Sequence, residues 1–482
     1  MSATLTIGII GVAAITAIGF FGRRRPAKDL DEWAVAGRKF GVMTTWVLQA
    51  GETFTTFTFL GCVGLVVSTG AAAFYSIPYI SLAYLAMYWI TPQLWRRAKR
   101  GGHLTQSDFL RDSYDSQALG VLSAVIGIVF LLPYLQLQIT GLELVIRVAT
   151  GGTVNGTISS AIAFLLVIAF VLWSGLHGVA RTSYFKDALM IIVMLVITVA
   201  VPMHLNGGLD FGLSTIARDM PKLLYVQPGS YGIWWFITSM AISTIGTIFY
   251  SSPMSWPAVM ASRNERAVRR NLIYLPIYSA LASIPMLLGY TAILAYGANQ
   301  DGDSAMLRMA SSALPPWVMG IVLTAAAATA MVPSAALLNC IAPLAVNNIF
   351  MIKDAKRKGL INQAVVVIVG FAALVLALLM PGLLANMLLL SFSGSAQVIP
   401  AIAGTLLLKR QLDRASIIAG LCAGSLVVIV LTFWPISGFD INAGISGLIV
   451  NIAVITLVEF VVRTRRSGLV YQEEKSGATL AG

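Results

Sequence analysis

Charged side chains are scarce in this sequence: aspartate, glutamate, lysine and arginine together make up 11% of its 482 residues, against roughly 25% in soluble domains. With 57% hydrophobic residues, no soluble domain of appreciable size can be cut from it. Cysteine is nearly absent. Cys62, Cys340 and Cys422 lie in separate apolar runs with no CxxC pair, so they read as buried packing residues and not as a disulfide framework. Histidine is as rare, and His103, His177 and His204 are too scattered to form a metal cluster. There is no Walker-type glycine loop to bind ATP, and no nucleophile–base pair or ligand set at membrane depth. A repeated pore-lining motif of the kind a channel needs is also missing. The short tail after Arg466 leaves no room for an attached signalling domain.

What the chain does have is long apolar runs. About 20 mostly apolar residues cross a bilayer, and thirteen candidate spans can be drawn: 5–21, 41–69, 72–95, 116–146, 157–176, 184–204, 231–253, 270–297, 316–349, 363–380, 385–407, 415–434 and 442–462. Threaded alternately with Met1 outside, they place 28 of the 32 lysines and arginines on one side, Lys186 among them. Only Arg147, Arg218, Lys222 and Arg308 fall on the other. That partition is what the positive-inside rule demands, with the N-terminus out and the C-terminus in. The net charge of +12 is thus a topology signal, with some contact to anionic lipid, and not a nucleic-acid footprint. The run 5–21 lacks a basic segment before it and is followed by Arg23-Arg24-Arg25, which marks a retained helix and not a cleaved signal peptide.

Two spans carry interruptions. The second contains Gln49-Ala50-Gly51-Glu52-Thr53; the seventh runs through Ser243-Thr244-Ile245-Gly246-Thr247 to Tyr250-Ser251-Ser252-Pro253. Discontinuous helices at corresponding places in two halves are the best sequence pointer to a transporter binding site. Spans 2 and 7 are five apart, which suits two five-helix repeats inserted in opposite orientation. The expected organisation is an outward N-terminus, first peripheral helix and loop over 1–40, a first repeat over 41–204, and an external loop over 205–230. A second repeat follows over 231–407, then two peripheral helices over 408–466 and a polar, disordered tail over 467–482.

Glu52 is the costliest residue in the sequence, since a carboxylate at mid-bilayer costs ~2.5–3.5 kcal/mol on insertion scales. It is either a neutral carboxyl bonded to the broken backbone or a proton carrier or cation ligand. Glu143 and Arg147, four apart, read as an intrahelical ion pair. Glu459 pairs with the arginines at 463, 465 and 466. Asp187, beside Lys186, anchors the inner end of the sixth span. Trp89, Trp95, Trp234 and Trp235 read as interfacial belts.

Several segments together resemble the sodium:solute symporter family over nearly the whole chain. They are Ala36-Gly37-Arg38, Ala50-Gly51-Glu52-Thr53 with Phe59-Leu60-Gly61, and Thr105-Gln106-Ser107-Asp108-Phe109. Leu132-Pro133-Tyr134-Leu135-Gln136-Leu137-Gln138 with Gly141 is a fourth. Ala267-Val268-Arg269-Arg270-Asn271 with Leu275-Pro276-Ile277-Tyr278-Ser279, and Thr329-Ala330-Met331-Val332-Pro333-Ser334-Ala335, look most like its monocarboxylate permease branch. The resemblance implies an all-α, LeuT-like core of two inverted five-helix repeats plus peripheral helices. It also implies cation-coupled symport of a small organic anion such as lactate, pyruvate or acetate, in a bacterial inner membrane, by a monomer without a cofactor.

The resemblance further implies an ion site made by the carbonyls of Gly51 and Phe54 and a Ser/Thr pair on the ninth span. Here that pair falls on Val332 and Pro333, which have no side-chain oxygen; Thr329 or Ser334 could compensate only through a register shift. Proton coupling with Glu52 as carrier is therefore expected ahead of sodium. For the anion, the candidates are Thr53, Thr55 and Thr56 past the first break, and Ser243, Thr247, Tyr250, Ser251 and Ser252 at the second. Tyr134, Gln136 and Gln138 join them if the fourth span lies where the family puts it. Each alone is equally a helix–helix contact. The competing reading is sodium-coupled uptake of an amino acid or vitamin, with Glu52 facing a substrate ammonium.

Overall fold

The computed structural model describes residues 3–22, 30–298, 301–380, 382, 384–408, 411–436, 438 and 440–479. Arg23, Arg24, Arg25, Lys28, Lys409 and Arg410, all counted above as inner-side charges, lie outside the described residues. The described chain is helical throughout, with one isolated bridge between Phe40 and Ser262. Eleven stretches are long and apolar enough to cross a membrane, against thirteen expected. Two of the eleven, Phe57–Arg100 and Gly156–Asn206, are interrupted. Gly70 (φ 59°, ψ −133°) and Gly175 (φ 53°, ψ −177°) leave helical geometry inside them, and positive φ is where glycine alone is unstrained.

Side-chain caps fix where the helices begin. Thr105 and Asp108 close a reciprocal capping box on Gln106–Ser113. Asn155, Asn264, Asp354 and Asp413 each accept a backbone N–H at the start of their helices. The segments read as plain loops are partly helical, at Leu213–Asp219 and Gly302–Ala313. The last helix runs from Ala443 to Thr479, past the point where a disordered tail was expected.

The core gathers around Pro316–Leu344, the ninth span, whose apolar window is 94% buried. Its alanine-rich face lets neighbours approach closely, the usual device where helices pack in lipid. The second span enters as Val42–Thr53 and resumes in a π-turn at Phe57–Gly61 and a helix at Cys62–Thr69. The seventh is Ile233–Ile248 followed, after a break, by the short helix Trp256–Met260. Phe40 ties the two together, its N–H donating to Ala261 O and its carbonyl accepting from Arg263 N, both at 2.9 Å.

Three sequence expectations change. Cys422 is exposed, on an apolar outer surface, while Cys62 and Cys340 are buried as expected. Trp89 and Trp234 are exposed. Trp95 and Trp235 are buried instead, Trp235 lying edge-on to Tyr75 and Tyr231. Proximity to a span end does not say which way a helix face points. The pairs Glu143–Arg147 (3.5 Å) and Glu459–Arg463 (2.8 Å) form as expected.

Asp303, on the Gly302–Ala313 helix outside the membrane-crossing stretches, holds that helix to its neighbours. Its Oδ2 accepts from Leu384 N at 3.0 Å, and Gly64 passes so close that a Cβ there would lie 2.4 Å from Oδ1. Burial pushes the Asp303 carboxyl up to about 7, from an ordinary value of about 3.9. Between those two values the folded chain keeps a proton that the unfolded chain has released, so stability falls as pH rises from about 4 to 7. Asp303→Asn is expected to flatten that part of the profile, read as unfolding temperature against pH in detergent.

Candidate functional site

The site begins with a backbone problem. In lipid every carbonyl freed by a helix break must find a donor. The helix Val42–Thr53 stops at Phe54, which is extended (φ −92°, ψ 90°). The interruption therefore lies just after Gln49–Thr53, which is itself helical, and not within it. The freed groups are satisfied one by one. Ala50 O accepts from Phe54 N, and Thr53 O from Thr58 Oγ1 at 2.9 Å. Glu52 O accepts from the Tyr134 hydroxyl at 3.5 Å. Gly51 O and Phe54 O both accept from Lys186 Nζ, at 2.9 and 2.8 Å.

Lys186 was read as an inner-loop charge and is instead 0% exposed. Its third proton goes to Asp187 Oδ1 at 3.0 Å. Asp187, expected only to anchor a helix end, also accepts from the Tyr278 hydroxyl at 3.1 Å. Gly51 lets Ser183 on the same neighbouring helix pack close: a Cβ there would meet Ser183 Oγ at 3.0 Å.

The break in the seventh span falls at Phe249–Ser252, with Tyr250 at φ 50°; Ser243–Thr247 is helical. Here Gln106 supplies the donor. Its Nε2 donates to Tyr250 O at 2.5 Å and Ser251 O at 3.0 Å. The helix that carries Gln106 is fixed by Asp108, which accepts from Leu104 N, Thr105 N and the amides of Asn347 and Asn348.

Between the two breaks lies a cavity of about 80 Å³. Of the sequence candidates, Glu52, Thr53, Thr55, Tyr134, Thr247, Tyr250, Ser251 and Ser252 line it. Both carboxylate oxygens of Glu52 are buried without a hydrogen-bond partner. Thr53 Oγ1 shares a hydrogen bond of 3.1 Å with the Tyr84 hydroxyl, and Tyr250 accepts one from Thr91.

Four of the anion candidates are not in the lining. Thr56 packs on Gly141, where a Cβ would come 1.9 Å from its methyl. Gln136 Nε2 donates to Leu376 O and Met380 O on another helix. Gln138 and Ser243 are buried elsewhere in the protein interior, their polar side-chain atoms unpartnered. Val332 and Pro333 are buried with no oxygen to offer. Thr329 and Ser334 donate to their own helix, at Ala326 O and Ala330 O. Sequence reasoning missed Lys186, Gln49, Tyr79 and Tyr84. The signal for Lys186 was a lysine paired with Asp187 and followed by the apolar run 188–197, with no second basic residue beside it.

The chain's relatives fit this architecture. An uncharacterized symporter of Bacillus subtilis, YhjB, is 31% identical over 97% of this chain and 99% of its own. A monocarboxylate transport permease protein of Rhizobium johnstonii is 29% identical over 69% of this chain and 67% of its own. A sodium/proline symporter of Staphylococcus aureus is 22% identical over 92% and 89%. In fold, the chain superposes on a Na+-coupled sialic acid symporter, solved substrate-bound and outward-open, with a TM-score of 0.80. That match has 15% identity and covers 96% of this chain and 98% of the other. The fold is thus LeuT-like, and the family model matches residues 33–424: the chain belongs to the sodium:solute symporter family.

Proposed function

We propose that the protein carries a small monocarboxylate, of the size of lactate, pyruvate or acetate, across a bacterial inner membrane by alternating access, coupled to a proton in preference to sodium. The observation that carries this reading is the cavity at the two breaks. It is small, Thr55, Tyr134 and Ser251 bring hydroxyls to its lining, and among the described residues no lysine or arginine lines it. Hydroxyl donors without a fixed cation suit weak binding of one carboxylate. The Rhizobium relative's name supports the same solute class. Proton coupling is supported by the oxygen-free side chains of Val332 and Pro333 and by Glu52, which can take up a proton where it lines the cavity. The same reading keeps the inverted repeats over 41–204 and 231–407, with the N-terminus outside and the C-terminus in the cytoplasm.

One observation favours a second reading. The unpartnered oxygens of Glu52 would also serve the ammonium of an amino acid, with sodium as the coupling ion. Competition of labelled pyruvate by alanine separates the two solute classes.

The direct test is uptake of labelled pyruvate into proteoliposomes under a proton or a sodium gradient imposed separately, with protein-free liposomes correcting for diffusion of the undissociated acid. Accumulation with the proton gradient alone is expected, and accumulation only with sodium overturns the coupling. Glu52→Gln is expected to abolish proton-driven accumulation; sodium-dependent uptake at an unimpaired rate in that variant rules the proton role out. Tyr134→Phe and Thr55→Val each remove one hydroxyl, worth about 0.5–1.5 kcal/mol net, or up to 3 where the acceptor is charged. Each should raise KM by roughly tenfold, seen in the concentration dependence of initial rates.

A further inference from the structure

We infer that the ε-ammonium of Lys186 is itself the cation of the seat made by the Gly51 and Phe54 carbonyls, and that it keeps sodium out. In the family resemblance those two carbonyls belong to the coupling ion. Here both receive Lys186 Nζ, at 2.9 and 2.8 Å, distances typical of charge-assisted hydrogen bonds. A lysine ammonium has three donors and no acceptor, and the third goes to Asp187 Oδ1 at 3.0 Å. Its donors are all used. For sodium the balance runs the other way. The two carbonyls already face an ammonium, which repels a second cation placed beside it, and Val332 and Pro333 offer no side-chain oxygen. The residues do not fit the metal.

An ordinary structural contact would not need the charge. The second break is closed by a neutral amide, Gln106, whereas a charged lysine at membrane depth is costly to insert. The charge is matched to its surroundings: Asp187 in contact, Glu52 within Coulombic range, and two carbonyl dipoles. The lysine comes from the stretch after Gly175 and reaches the second span 132 residues away in sequence. It therefore ties the second span to the sixth, where a bound ion would tie the second span to the ninth. Lys186 is a positioning residue that fixes which cation the seat accepts.

The inference draws on the proposed transport only for what is carried, so its test starts from binding in the purified full chain. Thermal unfolding in detergent is followed with sodium chloride replacing choline chloride at constant ionic strength. The wild type is expected to show no saturable sodium shift. Lys186→Ala is expected to unfold at lower temperature and to recover part of that loss, saturably, with methylammonium, which can occupy the vacated seat. Lys186→Met, which fills the space without charge, is expected to show no such recovery. A saturable sodium shift in the wild type overturns the inference, and so does a Lys186→Ala protein as stable as the wild type. If Lys186→Ala fails to fold, the wild-type titration decides alone. Should no monocarboxylate be transported, the solute reading falls while these binding results still judge the seat.

Discussion

The constraint on which this structure turns is the cost of a bare carbonyl in lipid. Two spans give up helical geometry near their middles, and each releases backbone acceptors where no water can reach them from the bilayer. The fold answers with side chains sent from other helices. Lys186 crosses to Gly51 and Phe54, and Gln106 crosses to Tyr250 and Ser251. Everything around the cavity follows from those two closures. Because the breaks are held open by donors placed behind them, Thr55 and Ser251 line the cavity, with the Thr55 hydroxyl also accepting from Phe57 N at 3.2 Å.

Both closures have supports of their own. Gln106 sits on a helix whose start is fixed by a capping box and whose Asp108 is tied to Asn347 and Asn348 at the end of the ninth span. Lys186 depends on Asp187, and Asp187 on Tyr278, whose ring lies edge-on to Phe54 at 5.5 Å. The carbonyls, their donors and the donors' partners thus span the second, sixth, seventh, eighth and ninth spans. A displacement of any one of these helices would change the hydrogen bonding at a break.

Much of this was legible from the chain. The apolar runs located the helices, and the polar, glycine-bearing stretches marked the two interrupted spans. Glu52, Tyr134 and the serines at 251 and 252 line the cavity. The register of the breaks was less legible, because Thr53 and Thr247 turn their hydroxyls back to Gln49 O and Ser243 O and stay helical. Lys186 escaped for a different reason. Beside Asp187 at the edge of an apolar run, it has the sequence context of a snorkelling end residue. Only tertiary packing shows that its chain turns inward to the carbonyls of Gly51 and Phe54. Gln136 and Gln138 were misjudged alike: a polar residue on a central helix has several faces to choose from, and spacing alone does not choose.

A tethered ammonium differs from a dissolved ion in one further respect. A free cation fills its seat in proportion to its concentration, and the occupancy falls when the medium is diluted. A side chain fixed to the same polypeptide presents itself at an effective concentration set by geometry alone. The first break therefore keeps its partner in fresh water and in brine alike, and the habitat's mineral content has no hold on the integrity of the second span.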